Sequence, residues 1–159
     1  MRCLLFFVIL FCSCGKNKNK NIYPNLRFQI EVSISYRFDL VSQVYTVDFL
    51  TNPKNFNFKL TDKEIKEINS EYYLLNLNDL PQDVIVVDKC NIMPKLYTTL
   101  FVKSDSTNQI IKIDTNCDNF GYLDGAKATR IKKFILLIEQ IVLKKQEPSL
   151  APKSSAVYQ

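Results

Sequence analysis

The sequence predicts an α+β fold: a two-layer domain with a mostly antiparallel sheet of five or six strands, a long C-terminal helix packed on it and one short middle helix. Three observations predict it. Several segments alternate apolar and polar residues with period two, one long stretch repeats its apolar residues at helical spacing, and strands follow one another with few helices between them.

Residues 26–38 alternate without a break. Leu26, Phe28, Ile30, Val32, Ile34, Tyr36 and Phe38 share one face, and Arg27, Gln29, Glu31, Ser33, Ser35 and Arg37 share the other. This reads as one long half-buried strand. After a short connection, residues 44–50 are β-rich with Tyr45, Val47 and Phe49 on one face, so the two segments pair as an antiparallel hairpin. Residues 55–60 alternate again after the turn signal Asn52-Pro53 and form a third strand.

Thr61-Asp62-Lys63-Glu64 has the pattern of a capping box, with Leu60 and Ile65 placed as a hydrophobic staple. The middle helix starts there, buries Ile65 and Ile68, and ends near Asn69-Ser70, ahead of the core-packing run Tyr72-Tyr73-Leu74-Leu75. Pro81 breaks the chain before residues 84–87, an apolar run too short for a helix and β-branched enough for a buried strand. Residues 97–103 and 109–114 form a second hairpin across the polar loop 104–108. Asp124 and Gly125 precede the long helix, which turns Ile131, Phe134, Ile135, Ile138, Ile141 and Val142 inward and Arg130, Lys132, Lys133, Glu139 and Lys144 outward. Beyond Gln146, Pro148 and Pro152 stop it and leave a tail.

A chain of 159 residues, 47% hydrophobic, has room for one ordinary core. The net charge of +5 is mild, and its lysines are scattered rather than gathered into a dense basic patch, so nucleic acid is not an expected partner. With no histidine, imidazole bases and histidine metal ligands are excluded.

The N-terminal segment carries the most specific signal. Arg2 supplies a positive charge and residues 4–11 an apolar run of about eight, against the roughly 20 a membrane-spanning helix needs. The run ends Phe11-Cys12-Ser13-Cys14-Gly15, which resembles the lipobox of bacterial lipoproteins, with an apolar residue three positions before the modified cysteine and a small one just before it. The resemblance implies lipidation of Cys14, a membrane reached through that lipid, and a location on the periplasmic or surface side, at the outer membrane. Cys12 departs from the pattern and keeps open ordinary cleavage that leaves Cys14 a free thiol; a retained anchor helix is a second alternative, which the short run and its polar flank disfavour. The expected organisation is a signal peptide over 1–13, a lipidated Cys14 and an Asn/Lys-rich tether over 14–25, one α+β domain over 26–147 and a tail over 148–159.

Cys90 and Cys117 are the two cysteines of the body, and outside the cytoplasm such a pair is more often bridged than free. A bridge would close a loop of roughly 28 residues and contribute about 3–4 kcal/mol in the chain-entropy account. Two inert buried thiols are the plainer alternative. Redox chemistry lacks a Cys-x-x-Cys pair. Asp114, Asn116 and Asp118 repeat the opening of a calcium loop, but position six is Asn119 where the turn wants Gly, and position twelve is Gly125 where a bidentate Glu belongs. A capped, solvated turn is the simpler reading, and no cofactor is expected. The tyrosines Tyr72, Tyr73, Tyr97 and Tyr122 read as core before they read as a stacking platform. Glu71, Asp79, Asp83 and Asp88 could be paired on paper as a glycosidase acid couple, but spacing alone cannot test their separation.

From Cys90 onward, the run Cys90-Asn91-Ile92-Met93-Pro94, Cys117, the helix through Phe134-Ile135-Leu136-Leu137-Ile138 and the Pro152-Lys153-Ser154 tail resemble small lipoproteins of AT-rich Gram-negative bacteria, a group that implies no activity. The expected role is a non-enzymatic module that binds another envelope protein. The rivals are an envelope enzyme with an acid or tyrosine site and a periplasmic inhibitor or immunity-type protein.

Overall fold

A computed structural model of the chain describes residues 26–33, 35–48, 50, 52–90, 92–115 and 121–153. The sheet has seven strands, not five or six: β1 (Arg27–Val32), β2 (Tyr36–Asp39), β3 (Val44–Val47), β4 (Lys54–Asn57), β5 (Asp83–Val86), β6 (Tyr97–Lys103) and β7 (Asn108–Asp114). Their order across the sheet is β4-β3-β2-β1-β6-β7-β5. Every neighbouring pair is antiparallel except β5 and β7, which are parallel. The helices are α1 (Asp62–Leu74), α2 (Gly125–Leu143) and α3 (Gln146–Ser149), with a 3₁₀ turn over Leu77–Asp79.

The extra strand comes from residues 26–38, which form a tight hairpin instead of one long strand. Ser33 takes a left-handed φ of 49°, and the Ser35 N–H donates to the Val32 carbonyl at 2.9 Å. Val32 pairs with Tyr36 and Ile30 with Phe38, so even-numbered residues stay on the core side through the turn. The alternation survives a reversal of the chain, and hydrophobic period alone does not reveal it.

The strand register lines up one row across the whole inner face: Phe56, Tyr45, Phe38, Ile30, Leu100, Ile111 and Val84. Helix α2 lays Ala128, Ile131, Phe134, Ile135, Ile138 and Val142 against that face, as its spacing predicts. Helix α1 adds Ile68 and Tyr72. The Phe28, Tyr72 and Phe134 rings meet at centroid separations of 5.3–5.9 Å in tilted and edge-on geometry.

The capping box forms: Thr61 Oγ1 accepts from the Glu64 N–H, and the Glu64 carboxylate accepts from the Thr61 N–H at 2.8 Å. The helix it starts runs to Leu74 rather than stopping near Asn69. Burial of Tyr72 rewards another turn, which outweighs the poor helix propensity of Asn69 and Ser70. Ile65, expected in the core, is 41% exposed. The chain beyond Gln146 also differs from expectation, because α3 forms with Pro148 in its first turn, where a missing N–H is tolerated, and buries it. Glu147 there accepts the Asn57 N–H at 2.7 Å and occupies a donor on the edge strand β4.

Candidate functional site

Of the residues singled out in the sequence, Cys14, Asn116, Cys117 and Asp118 lie outside the described residues. Cys90 is buried and does not present a free thiol. Asp114, at the end of β7, is fully buried, and its Oδ2 lies 2.8 Å from Lys95 Nζ. Asp124 caps α2, accepting the Lys127 N–H at 3.0 Å and pairing with the Lys127 ammonium at 2.9 Å. Those two contacts hold its carboxyl below the ordinary carboxylate range. Among the described residues no group of three or more His, Cys, Asp or Glu is placed to hold a metal ion.

Lys95 is a hub that the sequence did not mark. Its ammonium donates to Asp88 Oδ1 at 2.8 Å and to the Cys90 carbonyl at 2.6 Å, and it pairs with Asp114 Oδ2 at 2.8 Å. Three protons meet three acceptors, and both aspartate side chains have no exposed surface. The hydrogen bonds that Lys95 donates to Asp114 and then to Asp88 push its pKa up. The arrangement ties the loop after β5 to the end of β7. A bridge from Asp88 to Tyr122, whose hydroxyl donates to the Asp114 carbonyl at 2.9 Å, fastens the chain leading into α2. Chemically this is a saturated ion cluster: the lysine already occupies the position between the carboxylates that a cation would take.

A second cluster joins the sheet to α2. Glu139, expected to point outward, instead accepts the Tyr36 hydroxyl proton at 2.9 Å. Burial raises the Glu139 pKa, and the bond from Tyr36 only partly offsets it. Burial, and then the neighbouring Glu139 carboxylate, raise Tyr36 well above the ordinary phenol range. Tyr45 is raised in the same direction and for the same leading causes. Tyr36 and Tyr45 form one wall of a cleft of about 480 Å³, whose other wall is Leu143, Pro148, Ala151 and Pro152. Glu139 stands behind Tyr36 and does not line the cleft, so it orients the phenol rather than facing an occupant. Only a helical wheel laid against the register of β2 would have placed the two together.

Gln109 is a third buried polar group. It accepts the Tyr72 hydroxyl proton at 2.8 Å and donates to the carbonyls of Leu77 and Leu80, which pins the turn after α1 to β7. Burial, followed by Tyr73 and Asp79, pushes the Tyr72 phenol up to about 12. Tyr72 is thus a core residue with a satisfied hydroxyl, as read from the sequence.

The outer face of the sheet is a further candidate surface. Among the described residues α1 and α2 pack on the inner face, and the outer face keeps Glu31, Arg37, Val44, Phe101, Ile110 and Lys112 half-buried and Ile85 56% exposed. Apolar and charged residues of both signs interleave there. Arg37 stands 3.8 Å from Glu31, and Gln29 donates to the Glu31 carboxylate at 2.8 Å.

No family model, curated protein or solved structure matches this chain.

Proposed function

We propose that this chain is a lipid-anchored protein of the bacterial envelope that works by binding another protein through the outer face of its sheet. The address rests on the lipobox-like run ending at Cys14. The mode of action rests on one observation: a broad sheet face on which Val44, Ile85, Phe101 and Ile110 alternate with Arg37, Glu31, Asp39 and Lys112. Apolar centres ringed by charges of both signs suit a protein surface, and a polyanion or an anionic bilayer would meet as much repulsion as attraction. In an oxidising compartment Cys90 would pair with Cys117, which intact-mass measurement before and after reduction tests.

Metabolic labelling with a clickable fatty acid tests the anchor. Label on the wild type and none on Cys14→Ala is the expected result, and label on neither overturns it. Ile85→Asp and Lys112→Glu test the contact face. Both positions are solvent-accessible, so the variants should fold normally yet lose the proteins that co-purify with the wild type from membranes. An unchanged set of co-purifying proteins in both variants rules the face out.

One observation favours an envelope enzyme instead: Glu139, an acid with a raised pKa, backs a tyrosine-walled cleft. Its position behind Tyr36 makes it the weaker reading. Turnover of a substrate that vanishes in Tyr36→Phe but survives the outer-face variants would reverse the ranking.

A further inference from the structure

A cleft of about 450 Å³ opens at the end of the sheet, between the last turn of α1 with the 3₁₀ turn on one side and the loop joining β6 to β7 on the other. Its volume falls within the roughly 300–1,000 Å³ of small-molecule sites, but its lining is polar where such sites are mostly apolar, so the occupant it fits is polar too. Tyr73, Asn78, Gln82, Ser106, Thr107 and Asn108 line it, Asp105 adds a carboxylate, and no lysine or arginine is among the lining residues. The walls are held from within the fold. Ser104 Oγ accepts the N–H groups of Ser106 at 3.2 Å and Thr107 at 3.0 Å, and the Ser104 N–H donates to the Thr107 carbonyl at 2.7 Å. Across the cleft, Gln109 pins the 3₁₀ turn through the Leu77 and Leu80 carbonyls, and the half-buried Tyr73 packs edge-on against the buried Tyr72 ring at a centroid distance of 5.3 Å. The side chains of Gln82, Ser106, Thr107 and Asn108, by contrast, make no hydrogen bond to any described residue.

We propose that this cleft binds a neutral saccharide, a hexose or N-acetylhexosamine unit of a glycan. Amide and hydroxyl side chains both donate and accept, as sugar hydroxyls do, and four of them keep that capacity for an occupant. The Tyr73 ring gives the polarised C–H side of a pyranose a surface to stack on. The Asp105 carboxylate can take sugar hydroxyls in charge-assisted bonds, and with no cation in the lining it turns away phosphates and sulfated glycans. An extended peptide would need an open strand edge, and β6 and β7 are each paired on both sides. Walls already fixed by Ser104 and Gln109 lower the ordering cost that binding a polar ligand must meet. Ile85 and Lys112 do not line the cleft, so this site stands or falls apart from the contact face proposed above.

Two-dimensional amide NMR of the full chain, in micelles of a detergent without a sugar headgroup, tests this with two probes, maltotriose and tri-N-acetylchitotriose. At least one of them should shift the amides of residues 73–82 and 104–109 saturably, and a sulfated heparin disaccharide at the same concentration should leave them in place. Gln82→Ala and Asn108→Ala, both at exposed positions, should keep the wild-type spectrum elsewhere and weaken binding at least fivefold. Tyr73→Ala should abolish binding and Tyr73→Phe retain it, since the ring and not the hydroxyl carries the stacking. Four results would each overturn the proposal: neither saccharide shifts those amides at tens of millimolar, the shifts fall on other residues, the sulfated disaccharide binds as tightly, or both exposed variants bind as the wild type does.

Discussion

Glu139 shows how one carboxylate can register pH across a helix–sheet junction. Its pKa is raised above the ordinary carboxylate value, so the folded chain holds that proton more tightly than the unfolded chain does. Stability from this group is therefore gained as the pH falls through the raised folded value toward the ordinary one, and the ionised form costs stability at neutral pH. Glu139→Gln keeps an acceptor for Tyr36 and removes the charge. It should melt at or above the wild-type temperature at neutral pH and lose this acid-side gain, as thermal melts over a pH series would show. Lys95 is the opposite case. Lys95→Met would remove the ammonium that the buried Asp88 and Asp114 carboxylates share. The variant should melt well below wild type. Wild-type melting would show that the ammonium does not hold this loop. Neither cluster was legible in the sequence, because both join residues far apart in the chain through single side chains on different elements. Asp114 was marked for a calcium-like spacing, whereas the structure gives its carboxylate to a lysine nineteen positions earlier.

At the scale of elements, local chemistry that satisfies backbone groups was the most readable. The capping box sat where Thr61 and Glu64 put it. Thr61→Ala should cost about 1 kcal/mol in denaturant unfolding. Glu64→Ala should cost more, since the same carboxylate also takes both hydrogen bonds from Lys145, at 2.7 and 2.8 Å, and ties α1 to the junction of α2 and α3. Burial raises the Glu64 pKa, but the bonds from Lys145 and Thr61 outweigh it and bring it below the ordinary value, so this contribution is lost as the pH falls through that lowered value. The turn between β1 and β2 was not readable, for it contains no Gly, Asn or Pro and preserves the alternation on either side. Ser33 holds its left-handed φ against the preference of a residue with a Cβ. Ser33→Gly should stabilise the chain by about 1 kcal/mol, the relief of strain exceeding the extra freedom of the unfolded glycine. Gln43, with a φ of 56°, should gain nothing from the same change, because its Oε1 accepts the Leu60 N–H at 2.8 Å.

The molecule as a whole follows from a single continuous row of apolar side chains across seven strands. Leu100 lies near its middle and has no exposed surface. Leu100→Ala should cost about 2–5 kcal/mol in chemical denaturation, against less than about 1 kcal/mol for Ile85→Ala on the outer face. The fold class was legible because runs of strands and one amphipathic helix leave few ways to cover a core. The strand order was not, because nothing in residues 44–60 or 83–86 states that the chain crosses through α1 from one edge of the sheet to the other. That order has a consequence for the chain as it emerges from the ribosome. Strands β1 to β4 form a meander of near neighbours and can assemble as soon as they are synthesised, but the partner of β1 on its other side is β6, some seventy residues later. Until that hairpin arrives, a nascent chain carries half a sheet whose future centre is an open edge, with Phe28 and Ile30 uncovered beside it. Any factor that attends this protein during synthesis or export has that unfinished seam to hold.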